Sequence, residues 1–233
     1  MNSPPAMPRR SLLIAAVLLA LGLVLLTIDG AIMRAIQSAR PSGDLRREME
    51  LLQQFGSLTS IVVGALFIWR LDPRRLFIIR QWIFAAAIGW LAVFALKTML
   101  GRPRPKFDDP FGFVFPWGRY SIGDPPVETA AWQVFADDVS DLWSMPSSHT
   151  AFAVIAAAVL ARAYPRLAPV VWTWAALVGA CRILLRAHYP SDVLIGAAIG
   201  LAVTALAARL TLRRQAAAPT ATASAPRPCE ATR

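Results

Sequence analysis

The chain has 233 residues, 56% of them hydrophobic, and a mean hydropathy of +0.50. Its apolar residues are gathered into long blocks rather than dispersed by period, which argues against an ordinary soluble domain. The net charge of +10 would point to nucleic acid in a soluble protein, but no aromatic-basic surface interrupts the blocks. The arginines are instead read as residues that hold orientation and touch anionic membrane lipids, with no nucleic-acid partner.

Six hydrophobic blocks follow in order. The first, Ser11 to Ile28, comes after Arg9 and Arg10. It is longer than a signal-peptide core and has no small-residue cleavage site close behind it, so it reads as a retained helix. The second, Ser57 to Trp69, is the shortest. The third runs from Leu76 to Leu96, the fourth from His149 to Ala163, the fifth from Leu167 to Leu185 and the sixth from Val193 to Ala208. A run of about 18 apolar residues is enough to cross a hydrocarbon layer about 30 Å thick. The reading is one membrane domain over residues 1–208, then a basic tail over 209–233 whose Ala, Pro, Thr and Arg content predicts disorder.

Arginine placement sets the direction. Arg9 and Arg10, the connection with Arg70, Arg74, Arg75 and Arg80, the connection with Arg162 and Arg166, and the tail with Arg209, Arg213 and Arg214 all fall on one side of a six-helix protein. The positive-inside bias makes that side cytoplasmic and puts both termini there. The long connection 101–148 then faces outward, and it holds seven of the chain's fourteen acids.

The chain has two histidines, and both lie where hydrophobic blocks end, on the predicted outer side. Ionisable groups held near a membrane are expensive and mark candidate sites. Three clusters form there: Lys97 through Arg102, Arg104 and Pro105; Pro146-Ser147-Ser148-His149; and Cys181-Arg182 followed by His188 and Asp192. Together they hold the parts of a phosphoryl-transfer site. Lys97, Arg104 and Arg182 can neutralise phosphate oxygens. Ser147 and Ser148 open a helix, whose free N–H groups favour an anion. One imidazole can attack phosphorus while the other protonates the leaving oxygen, and a carboxylate can orient the first. Two histidines with Asp192 lack a third strong ligand at recognisable spacing, so no metal and no cofactor is expected. Arg102 reads as an accessory contact or an interfacial anchor, and Arg186 as site lining or an anchor. Gly196 and Gly200 read as a helix-packing face.

These clusters resemble the signature of the type 2 phosphatidic acid phosphatase superfamily: K-x6-R-P at Lys97, Arg104 and Pro105; P-S-G-H at Pro146, Ser147 and His149; S-R-x5-H-x3-D at Arg182, His188 and Asp192. Ser148 stands where that pattern has glycine, and Cys181 where it has serine. The resemblance spans about residues 76–208. It implies an all-α bundle of six transmembrane helices with its catalytic motifs within 97–192. It also implies metal-independent hydrolysis of a lipid phosphate through a phosphohistidine at the extracytoplasmic face of a bacterial inner membrane. His188 would be the nucleophile, Asp192 its orienter and His149 the acid and later base. Lys97, Arg104, Ser147, the Ser148 backbone and Arg182 would hold phosphate. Phosphatidic acid, phosphatidylglycerol phosphate, polyprenyl diphosphate and a phosphorylated glycolipid all present the same group to this cluster. Two alternatives stay open: a phosphotransferase using the same site, and a non-catalytic lipid-binding or transport protein of the same fold.

Overall fold

A computed structural model of the chain describes residues 9–217. Eight α-helices account for most of it: α1 (Arg9–Leu25), α2 (Asp29–Ala35), α3 (Gly43–Leu52), α4 (Leu58–Leu71), α5 (Leu76–Leu100), α6 (Ser148–Ala163), α7 (Ala168–Leu184) and α8 (Pro190–Ala217). The helix ends follow local chemistry. Gly101 takes the left-handed conformation (φ 59°) and its N–H closes on the Lys97 carbonyl at 3.0 Å, ending α5 as glycine does where a side chain would be strained. Ser147 caps α6 by accepting from the Thr150 N–H at 3.4 Å. Pro190 opens α8, with Asp192 in its first turn.

Three expectations change. The segment 29–56 is not a plain outer connection but carries α2 and α3, each bent away from its apolar neighbour: α1 and α2 meet at 76°, and the α3 segment and α4 at 62°. The fold is also mostly helical rather than all-α. In the connection 101–148, strand β1 (Tyr120–Ile122) pairs antiparallel with β2 (Val127–Thr129) in the register Ser121 to Glu128. Gly123 at φ 86° and two consecutive prolines make the turn between them. Finally, the sixth block does not stop at Ala208: α8 continues to Ala217, into the segment expected to be disordered. The rest of that tail, Cys229 included, lies outside the described residues.

By length and composition three helices suit a membrane crossing, α5, α7 and α8, and up to five do if each bent pair is one span. Helix α6, with 16 residues, is about 24 Å long at 1.5 Å per residue, short of a ~30 Å hydrocarbon layer. It sits centrally instead. Ala151 and Ala153 through Val159 are all buried against α5, α7 and α8. One core joins α1, α6, α7 and α8 around Ala153, Ala157, Val178 and Ala205, and a second joins α4, α5, α6 and α8 around Trp82, Ile155 and Val203. Outward positions remain apolar: Leu13, Val17, Leu66, Phe67, Leu91 and Val170 are all exposed. Large apolar side chains inside and outside alike are the pattern of a protein solvated by lipid, so the chain is a membrane protein.

Helix α8 reaches the mouth of α6 through its two glycines. A Cβ at Gly196 would stand 2.5 Å from the Ser147 carbonyl oxygen, and one at Gly200 2.6 Å from that of Ala151. The pair is a packing face, as its spacing predicts, and it presses the Ser147 turn against the start of α8. Gly196→Val should therefore overpack this contact at a cost of about 1–3 kcal/mol, read as a lower thermal unfolding temperature in detergent. An unchanged unfolding temperature would mean that the two backbones can part without loss.

Candidate active site

The three clusters converge at one end of the bundle, and backbone hydrogen bonds stitch them together. The Ser144 N–H donates to the Arg102 carbonyl at 3.0 Å and the Arg104 N–H to the Asp141 carbonyl at 2.8 Å, tying the first cluster to the loop that leads into the second. The Ser147 N–H donates to the Asp192 carbonyl at 3.0 Å, tying the second to the third. The connection 101–148 covers this end with a small core of its own, Val114, Ile122, Ala131 and Leu142, packed against Phe107, Tyr120 and Trp143.

His188 is 1% exposed, in the turn between α7 and α8. The Ala187 and His188 N–H groups both donate to the Arg182 carbonyl at 3.1 Å, which fixes that turn. Its Nδ1 lies 2.5 Å from the Ser144 carbonyl oxygen. A carbonyl only accepts, so Nδ1 carries the proton and the Nε2 lone pair is free. Burial, which disfavours the charged form, pushes this imidazole down to about 3 from an ordinary 6.5, leaving it neutral. A neutral ring with a bare Nε2 is the form a nucleophile needs.

Asp192 does not make the direct hydrogen bond to His188 that the sequence predicts. Its Oδ2 stands 3.8 Å from Nδ1, within ion-pair range only. That oxygen accepts instead from the Ser144 hydroxyl at 2.6 Å and the Tyr189 N–H at 2.9 Å. Ser144 thus joins the two, its hydroxyl on the carboxylate and its carbonyl on the imidazole. The other oxygen, Oδ1, accepts from Arg102 Nη1 at 2.7 Å. Arg102 is wholly buried and also donates from Nη2 to Asp29 at 2.8 Å and from Nη1 to the Ser191 hydroxyl at 2.8 Å. Asp29 accepts in turn from the Ser191 N–H at 3.1 Å and from the Ser191 hydroxyl. Arg102 stacks over the Tyr189 ring at 4.1 Å.

Lys97, Arg104 and Arg182 face neutral partners. Lys97 Nζ donates to the Trp143 carbonyl, Arg104 Nε to the Ser140 carbonyl at 3.0 Å, and Arg182 Nη1 to the Gln53 side chain at 2.5 Å. The Arg182 Nε is buried without a hydrogen-bond partner. Among the described residues none of the three forms an ion pair, although all of them act on His149 electrostatically. His149 is half-buried in the first turn of α6, next to Ser148. The Ser147 hydroxyl is committed to Thr150, 3.0 Å from its side-chain oxygen, as the helix cap. The arrangement is a patch of positive charge in no ion pair among the described residues, with Asp192 and Asp141 acting on Lys97 and Arg104 only at longer range, beside two imidazoles, and such a patch can hold an anion and stabilise charge that develops on it.

Several residues of this network escaped the sequence reading, among them Asp29, Gln53 and Ser144. Asp29 carried a signal, a lone acid closing an apolar block, which marks a buried charge as readily as a histidine does. Gln53 and Ser144 carried none, because neutral polar residues near helix ends are common.

Residues 79–216, more than half of the chain, match the PAP2 superfamily. A relative from Mycobacterium tuberculosis, decaprenylphosphoryl-5-phosphoribose phosphatase, is 32% identical over 187 residues, covering 76% of this chain and 86% of that protein. Two solved structures share the fold. Aquifex aeolicus LpxE has a TM-score of 0.55 at 23% identity, over 77% of this chain and 93% of its own. The transmembrane PAP2-type phosphatidylglycerolphosphate phosphatase of Bacillus subtilis has a TM-score of 0.59 at 19% identity, over 85% and 96%. The chain belongs to the PAP2 superfamily and is a phosphatase of that family.

Removing the buried cation tests how far the site leans on it. Arg102→Leu leaves Asp29 and Asp192 buried without a counter-charge and should destabilise the protein by about 3–5 kcal/mol, read as early thermal aggregation in detergent. Arg102→Lys keeps one charge but not the two-sided fork, and should fold with reduced turnover. Wild-type stability in Arg102→Leu would show the network to be dispensable.

Proposed function

We propose that the chain hydrolyses a phosphate ester or diphosphate on a lipid-like substrate through a phosphohistidine intermediate. The observation that carries this reading is the set of three cations, Lys97, Arg104 and Arg182, held by neutral acceptors beside a neutral, oriented His188. The phosphate occupies the cations. His188 Nε2 attacks phosphorus, the bond to the lipid oxygen breaks, and His149 gives that oxygen its proton; burial and the three cations hold this imidazole below its ordinary range, and the bound phosphate dianion offsets those cations so that the ring takes up the proton it donates. Water, deprotonated by His149, then attacks the phosphohistidine and releases inorganic phosphate and the free ring. Asp192 is a positioning residue, acting on His188 through Ser144. The Ser148 N–H, at the start of α6, adds a donor to the phosphate. The two imidazoles supply both the nucleophilic and the acid–base roles, so no step requires a metal.

The lipid character of the substrate rests on the apolar exterior of the bundle and on the phosphatases to which the chain is similar. The six hydrophobic blocks are taken as six crossings, the short α6 crossing within the ring of its neighbours rather than against lipid, with both termini cytoplasmic and the site on the extracytoplasmic side of a bacterial inner membrane. The four arginine-bearing positions on the other side support that direction.

The two histidines should fail differently. His188→Ala should abolish turnover and leave no phosphate on the protein. His149→Ala should slow hydrolysis of an alkyl phosphate by about 10²–10⁴-fold, yet accumulate phosphohistidine from a nitrophenyl phosphate, whose leaving group needs no proton. The readout is radiolabelled phosphate in acid-labile, base-stable linkage; label retained by His188→Ala would reassign the nucleophile. For the orientation, a reporter fused after Arg233 and another inserted near Gly123 should report opposite compartments. The same compartment for both would overturn it.

A further inference from the structure

The connection 101–148 carries apolar surface that its own small core does not use. Residues 110–118 and 129–136 hold no charged side chain, yet Phe111, Phe115, Trp117, Trp132 and Phe135 are all exposed, Trp117 to 87% and Phe135 to 99%. The two stretches lie side by side, because Trp132 Nε1 donates to the Pro116 carbonyl at 2.9 Å. Both rest on the end of α5. The Phe115 N–H donates to the Leu100 carbonyl at 3.1 Å, and a Cβ at Gly101 would stand 2.8 Å from that of Ala131.

A line of rings joins this patch to the flank of α5. Trp90 stacks on Phe94 at 5.3 Å, and Phe94 meets the edge of Trp143 at 6.0 Å. Trp143 Nε1 donates in turn to the Ala131 carbonyl at 2.8 Å, next to Trp132. Trp90 and Leu91 are exposed on the part of α5 that lipid solvates, and Trp90 to Leu100 is about 15 Å of helix. The patch therefore continues a surface already in contact with hydrocarbon. The Trp132 and Trp143 indole N–H groups are both engaged, so these rings can leave water without stranding a donor. Charged residues ring the patch at exposed positions, among them Arg119, Asp124, Glu128 and Asp137. A large aromatic patch with a charged rim, continuous with a lipid-facing helix, has the make-up of a segment at the headgroup boundary.

We propose that this patch is seated in the lipid surface at the catalytic end of the bundle, so that residues 111–135 act as an interfacial wedge. The aromatic rings lie among the headgroups, while the turn between β1 and β2, with Asp124 and Glu128, stands in water. The partner is the bilayer itself, recognised by apolar area rather than by charge. Trp143 also presents its carbonyl to Lys97 Nζ, so the same ladder of rings that reaches the lipid steadies a cation of the catalytic end.

The test uses the full chain in phosphatidylcholine nanodiscs, with Cys229→Ser and with Cys181 left in its buried place. A nitroxide is attached in turn to Trp117→Cys, Phe135→Cys, Leu91→Cys and Asp124→Cys. Spin-label saturation then compares collisions with oxygen, which concentrates in lipid, and with a nickel chelate, which stays in water. Labels at 117 and 135 should resemble the label at 91. Their oxygen-to-nickel ratio should exceed that at 124 by about 10-fold, since burying one aromatic side chain favours lipid by at least that factor. Tryptophan emission checks the unlabelled chain: Trp117→Phe should remove a component that brominated phosphatidylcholine quenches. Ratios at 117 and 135 equal to that at 124 overturn the proposal. So does spin–spin broadening at those positions that disappears on dilution with unlabelled chain, which would put a second copy on the patch.

Discussion

The guanidinium of Arg102 holds the site together. It is fully buried, and its two terminal nitrogens reach carboxylates from opposite ends of the sequence, Asp29 at the start of α2 and Asp192 in the first turn of α8. Two carboxylates near one another in a low-dielectric interior repel, and each resists ionisation; one planar cation between them removes both problems. The pairing does not by itself make the fold more stable than an apolar core would. It does fix geometry: the bent α1–α2 segment, the end of α5 and the start of α8 cannot shift without exposing an unpaired charge. Everything at the catalytic end is referred to that point.

A division of electrostatic labour follows. The charges that build the candidate site are neutralised internally, whereas Lys97, Arg104 and Arg182 form no ion pair among the described residues. Asp192 commits one oxygen to Arg102 and the other to Ser144 and Tyr189, so it forms no ion pair with Lys97, Arg104 or Arg182, although its charge still acts on Lys97. Those three lean on carbonyl and amide oxygens, which orient them without cancelling their charge. A free carboxylate among them would compete with phosphate. The same separation explains the indirect contact to His188: the ring is oriented by a carbonyl, and the carboxylate acts one residue removed, through Ser144.

Much of this was legible in the sequence, for physical reasons. Long apolar blocks announce helices in lipid, because lipid leaves a backbone no partner but itself. Lys97, Arg104, His149, Arg182, His188 and Asp192 stood out because charge at the end of such a block is costly. The same logic should have singled out Asp29, which was passed over as a block terminus. Helix α3 was invisible for the opposite reason: Asp44, Arg46, Arg47, Glu48 and Glu50 make it look like an outer loop, although ion pairs at 2.9 and 3.3 Å support it as a surface helix. The β1–β2 ribbon is three residues a side, too short for a period to emerge. The contact partners Gln53 and Ser144 are set by tertiary approach, and nothing local specifies that.

The position of α6 shows how the apolar and polar requirements meet. Its inner residues are mostly alanine, so α5, α7 and α8 approach closely, and the glycines of α8 let the approach continue to the Ser147 turn. Gly56 does the same from the other side, where a Cβ would collide with the His149 carbonyl. Glycines therefore bring two further backbones, that of α8 and that of the Gly56 turn, against the start of α6. In lipid, close packing of small residues is what holds helices together, since apolar burial gains little against hydrocarbon. The packing that makes the bundle cohere is thus also what delivers His149, Arg182 and His188 to a common site. A larger residue at Gly56 or Gly196 would move the catalytic turn before it opened any cavity in the core.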